Sequence, residues 1–433
     1  MTRLPLTVAT VLVSLSTPLA HARQAPPASP KPPSATDRAA SLAKRLAGDV
    51  LPASPDRARI LDALAVAGLP VPGEETTAAI VATAAEAYAE WRKVEEPALV
   101  AAIASRVADP ANRGSPIGPE MKADVVRRWD DGFRFERDAL EDLIASQSPP
   151  PPESDVAIAR NALAAAEANA LFGRVPLGTI DPKLDLVREA TRCLSGTDVA
   201  PARIRELLGG YAKERADLAR KLAERRLETI MRSGEVALAV QSWFARRLAE
   251  AGVAEAVDPA EVQGLGIVLQ MAPMVAAAGE WQDLQRRAAG ALDTALPPDQ
   301  RWCVWASLPP GAGGAATRET IERLAATAAT LPGEARAAAE ATLRDFRQAD
   351  LASIRELLSA EIETGQALGR LLAPSLEPGG LAKLDLDAFA TSLKEGEIRS
   401  TGLRLDELQK ARKESIAALE SAIAPPSSPP AAP

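Results

Sequence analysis

Between Pro201 and Arg232 the chain repeats its apolar side chains at a helical interval. Ile204, Leu208, Tyr211, Leu218 and Leu222 stand four, three, seven and four residues apart, so one helix face collects them all. Lys213 and Asp217, Asp217 and Lys221, and Arg220 and Glu224 are four apart on the other faces, where opposite charges support a helix. Asp198 is placed to cap the start, with Pro201 inside the first turn. A second run, Glu334–Leu372, carries Leu351, Ile354, Leu358, Ile362, Leu368 and Leu372 in the same way. Runs longer than ~25 residues predict helical hairpins or short coiled-coil seams.

Composition extends the reading to the whole chain. Apolar residues make up 47% but aromatics only 3%, so Ala and Leu must fill the cores. Both lose little rotamer freedom in a helix. Alternating β-branched runs are almost absent, and the expected fold class is all-α, with stacked helical hairpins or bundles in two or three domains. The long helices fall near 201–232 and 334–372.

Met1–Ala22 reads as a secretory signal. Arg3 gives the positive start, an apolar run follows from Leu4, and Ala20-His21-Ala22 ends in the small residues a leader peptidase accepts. Cleavage near Ala22 predicts an exported chain, periplasmic or extracellular. It also removes His21, the only histidine, and leaves a net charge of -9. That charge disfavours nucleic acid, whose phosphates call for clustered Lys and Arg.

The segments then follow in order. Residues 23–36 form a Pro-rich tether. An N-terminal helical domain is expected over 37–145. Its helices are Arg38 onward, Asp56–Gly68, Glu74–Val94, Pro97–Val107 and Glu120–Ala145. Four consecutive prolines mark a linker at 146–154. A middle domain is expected over 155–308, with helices at Asp155–Phe172, Pro182–Leu194, Glu235–Ala251 and Trp281–Leu292, and another start capped at Asp258-Pro259. After a loop at Pro309–Gly314 comes a C-terminal domain, 315–424, whose last helices are Leu381–Lys394 and Arg404–Ile423. Residues 425–433 read as a disordered tail. The longest later apolar stretch, Leu265–Gly279, contains Gln270 and Pro273 and is shorter than the ~18–20 residues of a span, so it reads as a core helix.

Without histidine there is no Ser-His-Asp site, no imidazole ligand and no c-type haem attachment. Cys193 and Cys303 are the only thiols, too few for the usual zinc sites. They either bridge, closing a loop of ~110 residues at ~4–5 kcal/mol on the chain-entropy model, or stay as buried free thiols. No cofactor or metal is expected. Ser41-Leu-Ala-Lys44 matches the S-x-x-K dyad without its K-T-G partner. Gly311–Ala316 matches G-x-G-x-x-A, but Pro309-Pro310 precedes it and no βαβ unit surrounds it. Asp385 and Asp387 begin a calcium-loop spacing that Ala390 and Gly396 fail to complete, which leaves a capped helix start. The acidic cluster of Asp130, Asp131, Glu136, Asp138, Glu141 and Asp142 reads as a solvated face, with Arg134/Asp138 and Arg137/Glu141 four apart. Trp281, Trp302 and Trp305 could line a sugar cleft but read first as core anchors.

Gly266-Ile-Val-Leu-Gln270-Met-Ala-Pro273 keeps a Q-x-x-P spacing and resembles the G-L-M-Q-x-M-P segment of lytic transglycosylases. These all-helical envelope enzymes cleave peptidoglycan with one Glu acid/base. The Gly is displaced by one, and the family's Glu-Ser dipeptide is replaced by Glu250-Ala251. The resemblance implies Glu250 as the candidate catalytic residue.

The leading expectation is a non-catalytic helical interaction or structural protein of the cell envelope or extracellular space. It would bind a protein or an envelope polymer, in an oligomeric state the residues leave open. A peptidoglycan- or glycan-cleaving enzyme using a single carboxylate is the rival, and a carbohydrate-binding module the second. Mass spectrometry of the chain recovered outside the cytoplasm should show a protein that begins at Arg23. An intact Met1 on the exported form would refute the signal reading.

Overall fold

Apolar side chains spaced three and four apart need a second helix to cover them, and the fold is a succession of such pairings. A computed structural model describes residues 35–109, 112, 115–172, 185–193, 202–251, 259–296, 298–308, 315–377 and 379–423. Among them the fold is all-α. The helices are α1 (Ala35–Val50), α2 (Arg57–Val66), α3 (Glu74–Ala108), α4 (Pro119–Ala145) and α5 (Glu153–Phe172). They continue as α6 (Leu186–Cys193), α7 (Ala202–Met231), α8 (Ser233–Ala251), α9 (Pro259–Asp293) and α10 (Pro298–Ala306). The last are α11 (Ala315–Ala329), α12 (Gly333–Leu376), α13 (Gly380–Lys383), α14 (Leu386–Glu395) and α15 (Glu397–Ile423). The two long expected helices are α7 and α12.

Long helices pack in sequence: α1 on α3, α3 on α4, α5 on α7, α7 on α9, α9 on α12 and α12 on α15. Ion pairs reveal their directions. Lys122–Glu228 and Asp130–Arg220 join α4 to α7, each 2.8 Å long. The first residue advances as the second recedes, so the two helices are antiparallel. The same logic makes α7 and α9 antiparallel, through Lys221–Glu280 and Glu214–Arg287. For α12 and α15 the pairs are Asp350–Arg412, Glu356–Arg404 and Arg370–Glu397. Core contacts continue across the Pro-rich segment at 146–154. Leu140 and Leu143 before it share one cluster with Val156, Ala159 and Leu163 after it.

Prolines terminate fewer helices than the sequence suggests. Glu74–Val94 and Pro97–Val107 were expected as two helices, but α3 runs unbroken through Pro97. An interior proline costs about 3 kcal/mol. Tyr88 before it and Leu99 and Ile103 after it are buried, and each contributes roughly 1.5–3 kcal/mol, so continuity wins. The Trp281–Leu292 helix is likewise only the second half of α9. Pro273 lies within α9, whose parts Val262–Val275 and Ala277–Asp293 meet at 47°. Conversely, Leu381–Lys394 is two helices, because the Asp385 carboxylate starts a new one by accepting from the N–H groups of Asp387 and Ala388. Helix α15 begins at Glu397, earlier than Arg404.

At Gly132, α4 comes close to Pro52 and Trp91. A Cβ there would stand 2.9 Å from both the Pro52 ring and Trp91. Cys193 and Cys303 are bonded, with Cα atoms 5.9 Å apart, joining α6 to α10. No single helix among the described residues is long and apolar enough to cross a membrane. The apolar stretch of α9 places Leu265, Leu269, Ala272, Met274 and Ala277 in the protein core.

A carboxyl group sits inside the α9–α12 interface. An ideal Cβ at Gly365 lies 3.9 Å from Gln282 Oε1, and Arg355 pairs with Asp293. This antiparallel register places Glu361 level with Gln285. Glu361 Oε2 and Gln285 Nε2 are both buried with no hydrogen-bond partner among the described residues. Burial pushes the Glu361 carboxyl from its ordinary 4.5 up to about 8. The folded chain therefore keeps a proton that the unfolded chain releases above about 4.5. Stability falls as pH rises from about 4.5 to about 8 and levels off beyond. Glu361→Gln should stabilise the protein by roughly 2–3 kcal/mol at pH 7 and by almost nothing at pH 4.5, read by urea unfolding. A gain equal at both pH values would contradict a proton held by Glu361.

Candidate functional site

Helix α8 is covered on one side only. Val236, Val240 and Trp243 point inward against Leu265, Val268, Leu269 and Ala272 of α9 and Leu372 of α12. Leu381 of α13 and Leu386 and Phe389 of α14 complete this cluster. On the other side Glu235, Leu238, Ser242 and Arg246 are exposed, and Leu238 keeps 55% of its surface in solvent. Between α8 and the α13–α14 turn runs an open groove of about 550 Å³. Leu238, Ala239, Trp243, Leu381, Leu384 and Leu386 supply its apolar wall, with Glu235 and Arg246 on its polar rim.

One carboxylate anchors the groove. Asp387 Oδ1 accepts from the Trp243 indole N–H at 3.0 Å and from Arg247 Nε at 2.6 Å. Its Oδ2 accepts from Arg246 at 3.2 Å. The Arg247 guanidinium also lies over the Trp243 ring, 5.7 Å from its centroid. The Trp243 hydrogen bond and the two guanidinium groups hold the Asp387 carboxyl below its usual range. Sequence reasoning placed Asp387 at a helix start but missed its partners, which are 140 to 144 residues away.

The other sequence candidates fall elsewhere. The Glu250 side chain lies outside the described residues, as does the glycine-rich segment Gly311–Gly314. The segment Gly266–Pro273 forms core beneath the groove: Val268, Leu269, Met271 and Ala272 are buried and Gln270 is half-buried. Ser41 and Lys44 are exposed on α1; Lys44 borders a second groove of about 630 Å³ with Tyr88, Arg92, Pro97 and Val100. Among the described residues no group of three or more His, Cys, Asp and Glu side chains could hold a metal ion.

Of the acidic cluster, Asp130, Asp138 and Asp142 are exposed as a solvated face requires, and Glu136 departs from it. Glu136 is buried, pairs with Arg59 and accepts from the Asp56 N–H at 2.7 Å. Arg137 turns away from Glu141 to Glu167 on α5, at 2.7 Å, while Glu141 pairs with Arg160. A buried acid needs a cation, and the neighbouring helix supplies it closer than the next turn does. Burial pushes Glu167 up to about 7, against the opposing pull of Arg137. Glu167 and Glu361 lie between helices and line none of the grooves described.

The tryptophans are core anchors. Trp129, Trp243, Trp281, Trp302 and Trp305 are buried, and each has an arginine over its ring. Trp302 and Trp305 also donate to Asp350 and Asp293, at 2.9 and 2.8 Å. None of these five rings presents a face on which a sugar could stack. No protein-family model matches the chain, and comparisons with curated proteins and with solved structures return no match.

Asp387→Asn should weaken the hold of α14 on α8. The carboxylate side chain is 38% exposed, so screening limits the loss to about 1 kcal/mol at pH 7. This stabilisation is full above the unfolded aspartate pKa, about 4, and fades as pH falls through the lower folded value. Urea unfolding at pH 7 and pH 3 measures it. A loss as large at pH 3 as at pH 7 would remove charge pairing as its cause.

Proposed function

We propose that the chain is an exported, non-catalytic interaction protein whose docking face is the α8 groove. The observation that carries this reading is the groove itself. An apolar wall lies beside an exposed leucine, with charges of both signs at its rim. This is the make-up of a helix-binding surface, where apolar anchors give affinity and rim charges give orientation. Glu167 and Glu361, which burial holds partly protonated, sit inside helix interfaces and line neither groove described. Export rests on the Met1–Ala22 pattern, and the bonded Cys193–Cys303 pair agrees with an oxidising compartment.

In cells producing the full chain, a photo-crosslinking residue placed at Ser242 should give defined adducts. The same residue at Lys410, exposed on α15, should not, and Leu238→Glu should abolish the Ser242 adducts. Equal labelling at both positions, or none at Ser242, contradicts the reading. So does release of soluble fragments from isolated peptidoglycan that stops on Glu250→Gln.

A further inference from the structure

We infer that the α8 face pairs with the same face of a second copy of this chain, forming a two-fold dimer. The inference rests on the reading of this groove as a docking face and names its occupant.

Along α8 the exposed stripe has a definite order of residues. At 100° per residue, Glu235, Leu238, Ala239, Ser242, Arg246 and Ala249 fall within one narrow sector of α8. The stripe is acidic at one end and basic at the other, with its one large apolar side chain off-centre. A two-fold contact brings the same surface from both copies together, so each residue on one must suit its counterpart on the other. Two α8 helices crossing antiparallel about a point between Val240 and Gln241 meet this condition. Glu235 of each copy then lies level with Arg246 of the other. Ala239 faces Ser242, and these small side chains let the helix backbones approach.

Leu238 fits the same symmetry. It lies at one edge of the stripe, where the two-fold sets it beside Ser242 of the second copy. A parallel crossing would instead set Glu235 against Glu235 and Arg246 against Arg246. Charge complementarity therefore selects both the partner and its direction. Arg246 can serve Asp387 and a second carboxylate together, since a guanidinium carries five N–H donors. The Arg232 side chain, near Glu235 at the start of the stripe, is directed to the Ser375 carbonyl at 2.6 Å.

Sedimentation velocity of the purified chain between about 1 and 200 µM provides the test. The wild type should show a concentration-dependent dimer. Glu235→Arg and Arg246→Glu should each raise the dissociation constant about tenfold or more, and the double variant should return to within about threefold of wild type. Leu238→Glu should be monomeric, with circular dichroism unchanged. Recovery in the double variant separates charge pairing from a folding defect, because a misfolded single variant would not be rescued. A wild type that stays monomeric throughout overturns the proposal, as does a dimer indifferent to both single reversals. Ser242 adducts to other proteins in cells, alongside a monomeric purified chain, would defeat self-association and leave the docking reading intact.

Discussion

Buried arginine–carboxylate pairs between helices set the register of this fold. A core made mostly of Ala and Leu presents smooth, repetitive helix faces, and such faces fit each other almost equally well after a slide of one turn. Asp350 and Arg412 remove that freedom between α12 and α15. Both are buried, two hydrogen bonds of 2.7 and 3.1 Å join them, and Trp302 adds a third to the same carboxylate. A one-turn slide would leave each charge buried alone, which costs about 3–5 kcal/mol. In two further pairs the acid alone is buried and its arginine reaches solvent: Glu136 with Arg59 between α4 and α2, and Glu167 with Arg137 between α5 and α4. The apolar surface supplies the drive to pack, while the charged pairs choose among packings that are nearly equal in area.

This division explains what could be read from the residues. Helix existence was legible because periodicity is local: the runs near 201–232 and 334–372 became α7 and α12 within a few residues at each end. Asp385 as a helix start was legible for the same reason. Partner choice was not. The sequence offers Arg137 a carboxylate four residues on, yet the structure gives it one 30 residues away. Lys221 passes over Asp217 for Glu280 across the helix interface. A single chain displays i,i+4 spacing openly but encodes distant partners only through the completed packing. Pro97 misled in a related way. Its local cost is visible in sequence, whereas the burial on both sides that outweighs it is not.

The groove at α8 was the least legible feature. Leu238, Trp243 and Asp387 carry no motif, and they meet only because α14 folds back over α8. The cysteine pair shows the opposite case. Two thiols alone in the chain leave a single possible pairing, so only its existence was open, and Cys193 and Cys303 stand close enough in space to close it.

The scarcity of aromatics links the core to the surface. With so few large rings available, the fold spends five tryptophans inside, each capped by an arginine, and for four of them Asp387, Asp350, Asp293 or the Val50 carbonyl receives the indole N–H. Recognition at the surface then has to use what remains, namely aliphatic side chains and charge. That favours a partner that is itself a helix with an apolar ridge and ordered charges. It disfavours a sugar, whose binding calls for exposed ring faces. On the proposed reading, helix α8 meets such a partner. Its inner face is held by the Trp243–Asp387–Arg247 arrangement, so the outer face is presented in a fixed orientation. A pre-ordered face loses little conformational freedom on binding, and a modest apolar contact through Leu238 can then suffice.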